Sequence, residues 1–127
     1  VWEDAKASRV LVNIADETAH CDFIIPAIVR RGDLTVAIST GGKSPALAAR
    51  LRQKFSDMLG NEYALLLETL SKWRPRLEER VKDTKLRKKL HYLIVDSCLT
   101  SVGDSGDTKD LERRLEDVVE QALKEEL

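Results

Sequence analysis

The chain has 127 residues, enough for one domain or for parts of two, with a core of its own. Hydrophobic residues make up 43% and charged residues 34%, the balance of a soluble, helix-rich protein. A net charge of -1 gives no global pull toward nucleic acid or membrane, and no apolar run is long enough to span a bilayer.

The predicted elements begin with Val1 to Ala7, which read as the last turns of a helix. Arg9 to Ala15 (RVLVNIA) is a near-continuous apolar run, the pattern of a strand buried on both faces of a parallel sheet. Such a strand needs neighbours, so it reads as one that closed a larger sheet. The first residue is Val1 and the only methionine is Met58, so the chain reads as a piece of a longer protein. Phe23 to Val29 and Leu34 to Thr40 are β-rich, with Arg30-Arg31-Gly32-Asp33 between them, which predicts a hairpin. Pro26 cannot donate to a ladder and marks an edge or a bulge.

After Pro45 the pattern turns helical. Leu47, Leu51, Phe55 and Met58 form an apolar stripe, with Gly60 where a helix-ending residue belongs. Asn61 is placed to cap the next helix, whose stripe is Tyr63, Leu66, Leu70 and Trp73 before Pro75 breaks it. Leu77 and Val81 fall in a short helix. Asp83 is placed to cap another, carrying Leu86, Leu90 and Leu93 or Ile94. Val102 to Asp107 (VGDSGD) reads as a loop. Leu111, Leu115, Val118 and Ala122 mark a last charged amphipathic helix, which Glu125 and Glu126 should fray at its negative end.

The most informative stretch is AISTGGKSP, Ala37 to Pro45. Serine at the N-cap with proline at the first helical position is a helix start. A glycine-bearing loop feeding it offers backbone N–H groups and the positive end of the dipole to an anion. Ser39, Thr40, Gly41, Gly42, Lys43 and Ser44 are therefore candidate anion contacts, because hydroxyls, amides and an ammonium all donate to anionic oxygens. The bland alternative is a glycine turn with a well-capped helix.

Ala37 to Ser44 also satisfies a relaxed phosphate-loop pattern, and Leu93-Ile94-Val95-Asp96 imitates a strand ending in a magnesium-binding acid. Three features argue against a nucleotide hydrolase. Ala37 lies inside the alternating strand run where that loop needs its first glycine. Pro45 removes an N–H. Leu86, Leu90 and Leu93 also carry a helical period toward Asp96.

Three blocks carry a resemblance: VNIAD at Val12–Asp16, CDFIIPAIVRRGDL at Cys21–Leu34 and AISTGGKSPALA at Ala37–Ala48. With these, Val10 to Arg52 resembles the precorrin-2 dehydrogenase/sirohydrochlorin ferrochelatase family of siroheme synthesis. The resemblance implies an α+β chain: the last strand of a Rossmann-like sheet, a β-hairpin dimerisation element, then a mainly helical C-terminal region. It implies that residues 1–17 end a dinucleotide-binding domain. Residues 18–59 would be a dimerisation region with a tetrapyrrole-contacting loop, and residues 60–127 a helical domain. The implied activity is oxidation of precorrin-2 to sirohydrochlorin with NAD as hydride acceptor. In some members ferrous iron insertion follows. Partners would be the polycarboxylate tetrapyrrole and a second copy of the chain, with no nucleic acid and no membrane, in the cytoplasm.

Asp16 reads from its residues alone as a turn or cap aspartate at a strand's end; the resemblance implies the catalytic base. Asn13 is a candidate substrate or cofactor contact, equally suited to a backbone hydrogen bond. Ser39 through Ser44 would face the tetrapyrrole's carboxylates, with Thr40 where the family often has serine. His20 is a candidate proton carrier or iron contact, although a loop histidine is more often incidental, and His91 reads as a packed or solvated surface residue. Arg30 and Arg31 could reach carboxylates or simply solvate a turn. Cys21 and Cys98 read as ordinary thiols, without the spacing of a metal pair. No G-x-G-x-x-G appears among the six glycines, so the chain alone is expected to bind NAD poorly and to be inactive. The competing reading is a non-enzymatic dimerisation or anion-binding module.

Overall fold

The computed structural model describes residues 1–14, 17–101 and 107–125. The described elements are helix α1 (Trp2–Ser8), a single 3-10 turn (Thr18–His20), strands β1 (Ala27–Arg31) and β2 (Leu34–Ile38), and helices α2 (Pro45–Met58), α3 (Glu62–Arg80), α4 (Thr84–Ser101) and α5 (Thr108–Glu125). The class is α+β, with a two-stranded hairpin and a mainly helical remainder. The chain divides into two compact units, residues 1–30 with 35–58, and residues 31–34 with 59–127.

In the first unit the strand expected over Arg9–Ala15 does not form a ladder among the described residues. Arg9 ends α1 in the left-handed region at φ 54°, and Val12 bonds instead to Asp22: its amide donates to Oδ2 and its carbonyl accepts from the Asp22 amide, both at 2.9 Å. An extended run becomes a strand only beside another strand, and no described strand lies next to this one. The hairpin is shorter than its apolar runs, because Pro26 offers no N–H and β1 starts at Ala27. Helix α2 begins where Pro45 predicts, yet it buries no residue, and Leu47 and Met58 are 51% and 69% exposed. Periodicity marks an apolar stripe but not what covers it.

The second unit is a three-helix bundle. Leu66, Trp73 and Leu77 of α3, Leu90, Ile94 and Cys98 of α4, and Leu111, Leu115 and Val119 of α5 share one buried cluster with Val81. Each fully buried leucine contributes about 1.5–3 kcal/mol from burial. Val119, rather than the expected Val118, is central, and Ile94 rather than Leu93 points inward. The expected break at Pro75 does not occur: α3 runs through it to Arg80. Proline forfeits one backbone bond and crowds the preceding turn, while buried Leu66, Thr69, Trp73 and Leu77 hold both halves of the helix to one face. Residues 93–96 are helical, which removes the strand needed for a phosphate-loop reading.

Caps were partly legible. Asp83 accepts from the Leu86 amide at 2.7 Å, as an N-cap should. We expect Asp83→Ala to lower the unfolding free energy by about 1 kcal/mol in urea titration, with Asp83→Ser close to wild type. Asn61 makes no side-chain cap bond; Glu62 reaches back instead, accepting from the Gly60 amide at 3.2 Å. Gly60 itself does not take the left-handed conformation. The expected loop Val102–Asp107 lies outside the described residues except for Asp107, as does Glu126 of the expected frayed end.

At the hairpin tip Gly32 takes φ 58°, as a two-residue hairpin turn requires, and a Cβ there would lie 3.2 Å from that of Ala64 on α3. Arg31 Nε donates to the Leu59 carbonyl at 2.6 Å, so this arginine ties the tip to its own unit. Burial pushes the Cys98 thiol up from its ordinary value of 9.0, with Arg114 pulling the other way. A raised thiol favours the folded state below the ordinary value and loses that contribution as pH rises. Iodoacetamide at pH 8 should therefore modify Cys98 only on unfolding, read by mass spectrometry with and without urea.

Candidate functional site

The glycine loop is built as its residue types predict. Gly41 and Gly42 take φ 61° and 76°, conformations that other residues rarely adopt. Ser39 Oγ accepts from the Gly41 amide at 3.2 Å, and Thr40 Oγ1 accepts from the Ser44 amide at 3.2 Å. The Lys43 amide donates to the Thr40 carbonyl at 3.1 Å. Ser44 Oγ accepts from Leu47 at 3.2 Å, capping α2. Many of the loop's amides are thus taken by its own oxygens. The Gly42 amide is used by none of these bonds, Lys43 is exposed, and the hydroxyls that accept here still have their own protons to donate.

The segment before residue 15 and the turn after residue 16 are clipped together by side chains. Asn13 Nδ2 donates to the Phe23 carbonyl at 2.8 Å. Cys21 Sγ accepts from the Ile14 amide at 3.1 Å, and its S–H faces the carbonyls of Ile14 and Glu17 at 3.3 and 3.4 Å. Asn13 Nδ2 also donates to Cys21 Sγ at 3.9 Å, so its nitrogen serves the neighbouring chain, the bland role, and its oxygen is left for a ligand.

The turn also meets the loop. A Cβ on Gly42 would stand 2.2 Å from Thr18 Cγ2, so only glycine fits against this turn. Asp16 lies outside the described residues, two positions before Thr18 in the chain. Ser39, Thr40, Gly41, Gly42, Lys43 and Ser44 form one continuous loop, and Thr18 abuts it. Thr18, Cys21 and Asp22 were not singled out from sequence as contacts. Their pairings bridge irregular chain with no repeating period, and the only hint was their place within or beside the matched blocks.

His20, Arg30 and Arg31 have partners within the chain, and His91 lies where a packed surface residue is expected. His20 Nδ1 lies 3.5 Å from Glu17 Oε1, and its ring packs 4.7 Å from that of Trp2. His91 is half-buried beside a cavity of about 320 Å³ between α3 and α4. Arg30 and Arg31 both have partners. Among the described residues no group of three His, Cys, Asp or Glu could hold a metal ion, and no helix is long and apolar enough to cross a membrane.

A dinucleotide needs a glycine-rich turn at a helix N-terminus after a strand. In residues 1–27 the described helix is α1, and the N-terminal ammonium of Val1 is paired with Asp4 at 3.1 Å. The first glycine of the chain is Gly32, so residues 1–27 hold no glycine to build that turn.

A hydroxyl-lined glycine loop against a short turn, followed along the chain by a helical bundle, makes this an α+β chain. The comparisons supply its relatives. An NAD(P)-binding family model matches residues 1–27, and the model described as "Sirohaem biosynthesis protein central" matches residues 31–58. The siroheme synthase of Photorhabdus laumondii is 30% identical over 122 residues, 96% of this chain and 26% of that protein. Siroheme synthase 1 of Klebsiella pneumoniae is 34% identical over 125 residues, 98% of this chain and 26% of that protein. A solved structure titled "SirC, precorrin-2 dehydrogenase" superposes with a TM-score of 0.67 at 24% identity, covering 92% of this chain and 60% of that one, a likeness of fold. The chain is similar to these siroheme synthases along nearly its whole length, and it spans about a quarter of theirs.

Proposed function

We propose that this chain is the tetrapyrrole-contacting part of a siroheme-pathway enzyme that oxidises precorrin-2 to sirohydrochlorin with NAD. In this reading residues 1–17 end the dinucleotide-binding domain, residues 18–59 form the dimerisation region with the substrate loop, and residues 60–127 form the helical domain. The observation that carries it is the packing of Thr18 against Gly42, which keeps the turn after Asp16 beside the glycine loop in a single chain.

The loop would bind the substrate's carboxylates. Gly42 N–H, Lys43 Nζ and the hydroxyls of Ser39, Thr40 and Ser44 donate to anionic oxygens, aided by the positive end of α2. Asn13 has its oxygen left to accept from a pyrrole N–H. Asp16 would accept a proton from the substrate, acting as general base. Where ferrous iron follows as cargo, the same carboxylate would strip pyrrole N–H protons. Exposed Phe23, Ile24 and Ile25 next to the hairpin suit a second copy of the chain as the cover.

The test uses the full-length protein with precorrin-2 and NAD, following NADH formation and the sirohydrochlorin spectrum together. Both signals should rise in proportion. Absence of both refutes the assignment. Light scattering of the same sample should give twice the chain mass.

A further inference from the structure

Within the helical bundle, two cavities between α3 and α4 meet at Arg74 and His91, which line both. One, of about 320 Å³, is walled by Leu67, Leu70, Trp73, Leu77, Ile94 and Val95. The other, of about 400 Å³, is walled by Thr84, Arg87, Lys88 and Tyr92, with Glu78 as its one carboxylate. Helical spacing builds this contrast. Along α4 the lining passes from Thr84, Arg87 and Lys88 through His91 to Ile94 and Val95; along α3 it passes from Glu78 through Arg74 to Leu70 and Leu67. The basic end is not balanced nearby. Residues 72–89 carry nine Lys and Arg against three Asp and Glu, a net +6 in a chain whose total is -1. Glu78 accepts from Arg74 Nε at 3.4 Å, and Arg87 Nη1 donates to the Val81 carbonyl at 3.1 Å, which leaves the rest of its five-donor fork. Among the described residues the side chains of Thr84, Lys88, His91 and Tyr92 have no polar partner. In the apolar wall Trp73 is 3% exposed, and its Nε1 has no hydrogen-bond partner among the described residues.

We propose that this cleft binds a small amphipathic anion, with its apolar body against Leu67, Leu70 and Val95 and its carboxylate or phosphate head among Arg74, Arg87, Lys88 and His91. An apolar wall with a few convergent donors is the usual make-up of a small-molecule site, and the excess of cations selects an anionic head over a neutral one. The site stands apart from the glycine loop and does not depend on the tetrapyrrole reading.

Trp2→Phe leaves Trp73 as the only tryptophan of the chain, so its fluorescence reports occupancy. The probes are octanoate, octyl phosphate and octanol. Both anions should give a saturable change with a Kd below about 1 mM and bind about 10-fold more tightly than octanol; the tighter of the two identifies the preferred head. Lys88→Glu should weaken octanoate about 10-fold and leave octanol unchanged, while Glu78→Gln, which frees Arg74, should tighten octanoate about threefold. Leu67→Ser should weaken all three probes. Lys88 and Leu67 are exposed, so these variants keep the fold, and matching melting temperatures without ligand check that. No saturable response to either anion, octanol binding as tightly as both, or octanoate affinity unmoved by Lys88→Glu overturns the proposal.

Discussion

Truncating Leu115 to alanine is expected to lower the unfolding free energy by about 2–5 kcal/mol, the range for leucines that leave a cavity behind. Leu115 is 0% exposed and belongs to the buried cluster shared by all three helices of the bundle. Its neighbours come from rigid helices, so they can close only part of the hole. That favours the upper half of the range. Two-state urea unfolding of the chain, followed by Trp73 fluorescence and far-ultraviolet circular dichroism, measures the effect. Met58→Ala is the control: exposed on α2, it should shift stability by no more than about 0.5 kcal/mol. A Leu115→Ala loss below about 1 kcal/mol would mean that α5 does not close the bundle core.

The second large effect concerns chemistry. In the full-length protein, Asp16→Asn should reduce NADH formation from precorrin-2 by about 10²- to 10⁴-fold, the usual contribution of a positioned general base. Asparagine preserves shape and hydrogen bonding but cannot accept the proton. Circular dichroism and melting temperature should therefore match wild type while turnover falls. Ordinary turnover in that variant removes Asp16 from its role and leaves the glycine loop as an anion-binding surface without a base. Asp16→Glu separates the two: a carboxylate displaced by one methylene should restore part of the rate.

Local chemistry made much of the fold legible. Pro45 and Ser44 announced the start of α2, Asp83 that of α4, and Arg30-Arg31-Gly32-Asp33 the hairpin turn. The failures share a cause: they depend on what packs against a segment. Pro75 is a breaker by propensity, yet α3 continues because Trp73 and Leu77 are both buried on the same side. The Leu47, Phe55 and Met58 stripe is regular, yet exposed. Arg9–Ala15 has strand composition but no described strand beside it, and the amides of Val12 and Ile14 go to the side chains of Asp22 and Cys21. In the candidate site, the loop from Ser39 to Ser44 was legible because its glycines and caps act on their own neighbours. The Cys21 sulfur and the Thr18 methyl were not. Each acts across several residues of irregular chain, where no pattern announces a contact.

The glycine loop satisfies its own amides through Ser39, Thr40 and Ser44, and this bears on how a visitor would come and go. A cradle that keeps its shape when vacant spends little entropy on admitting a guest, so even a modest set of charge-assisted contacts suffices for capture. The same economy governs departure. Release leaves the amides of Gly41 and Ser44 on the hydroxyls that hold them throughout.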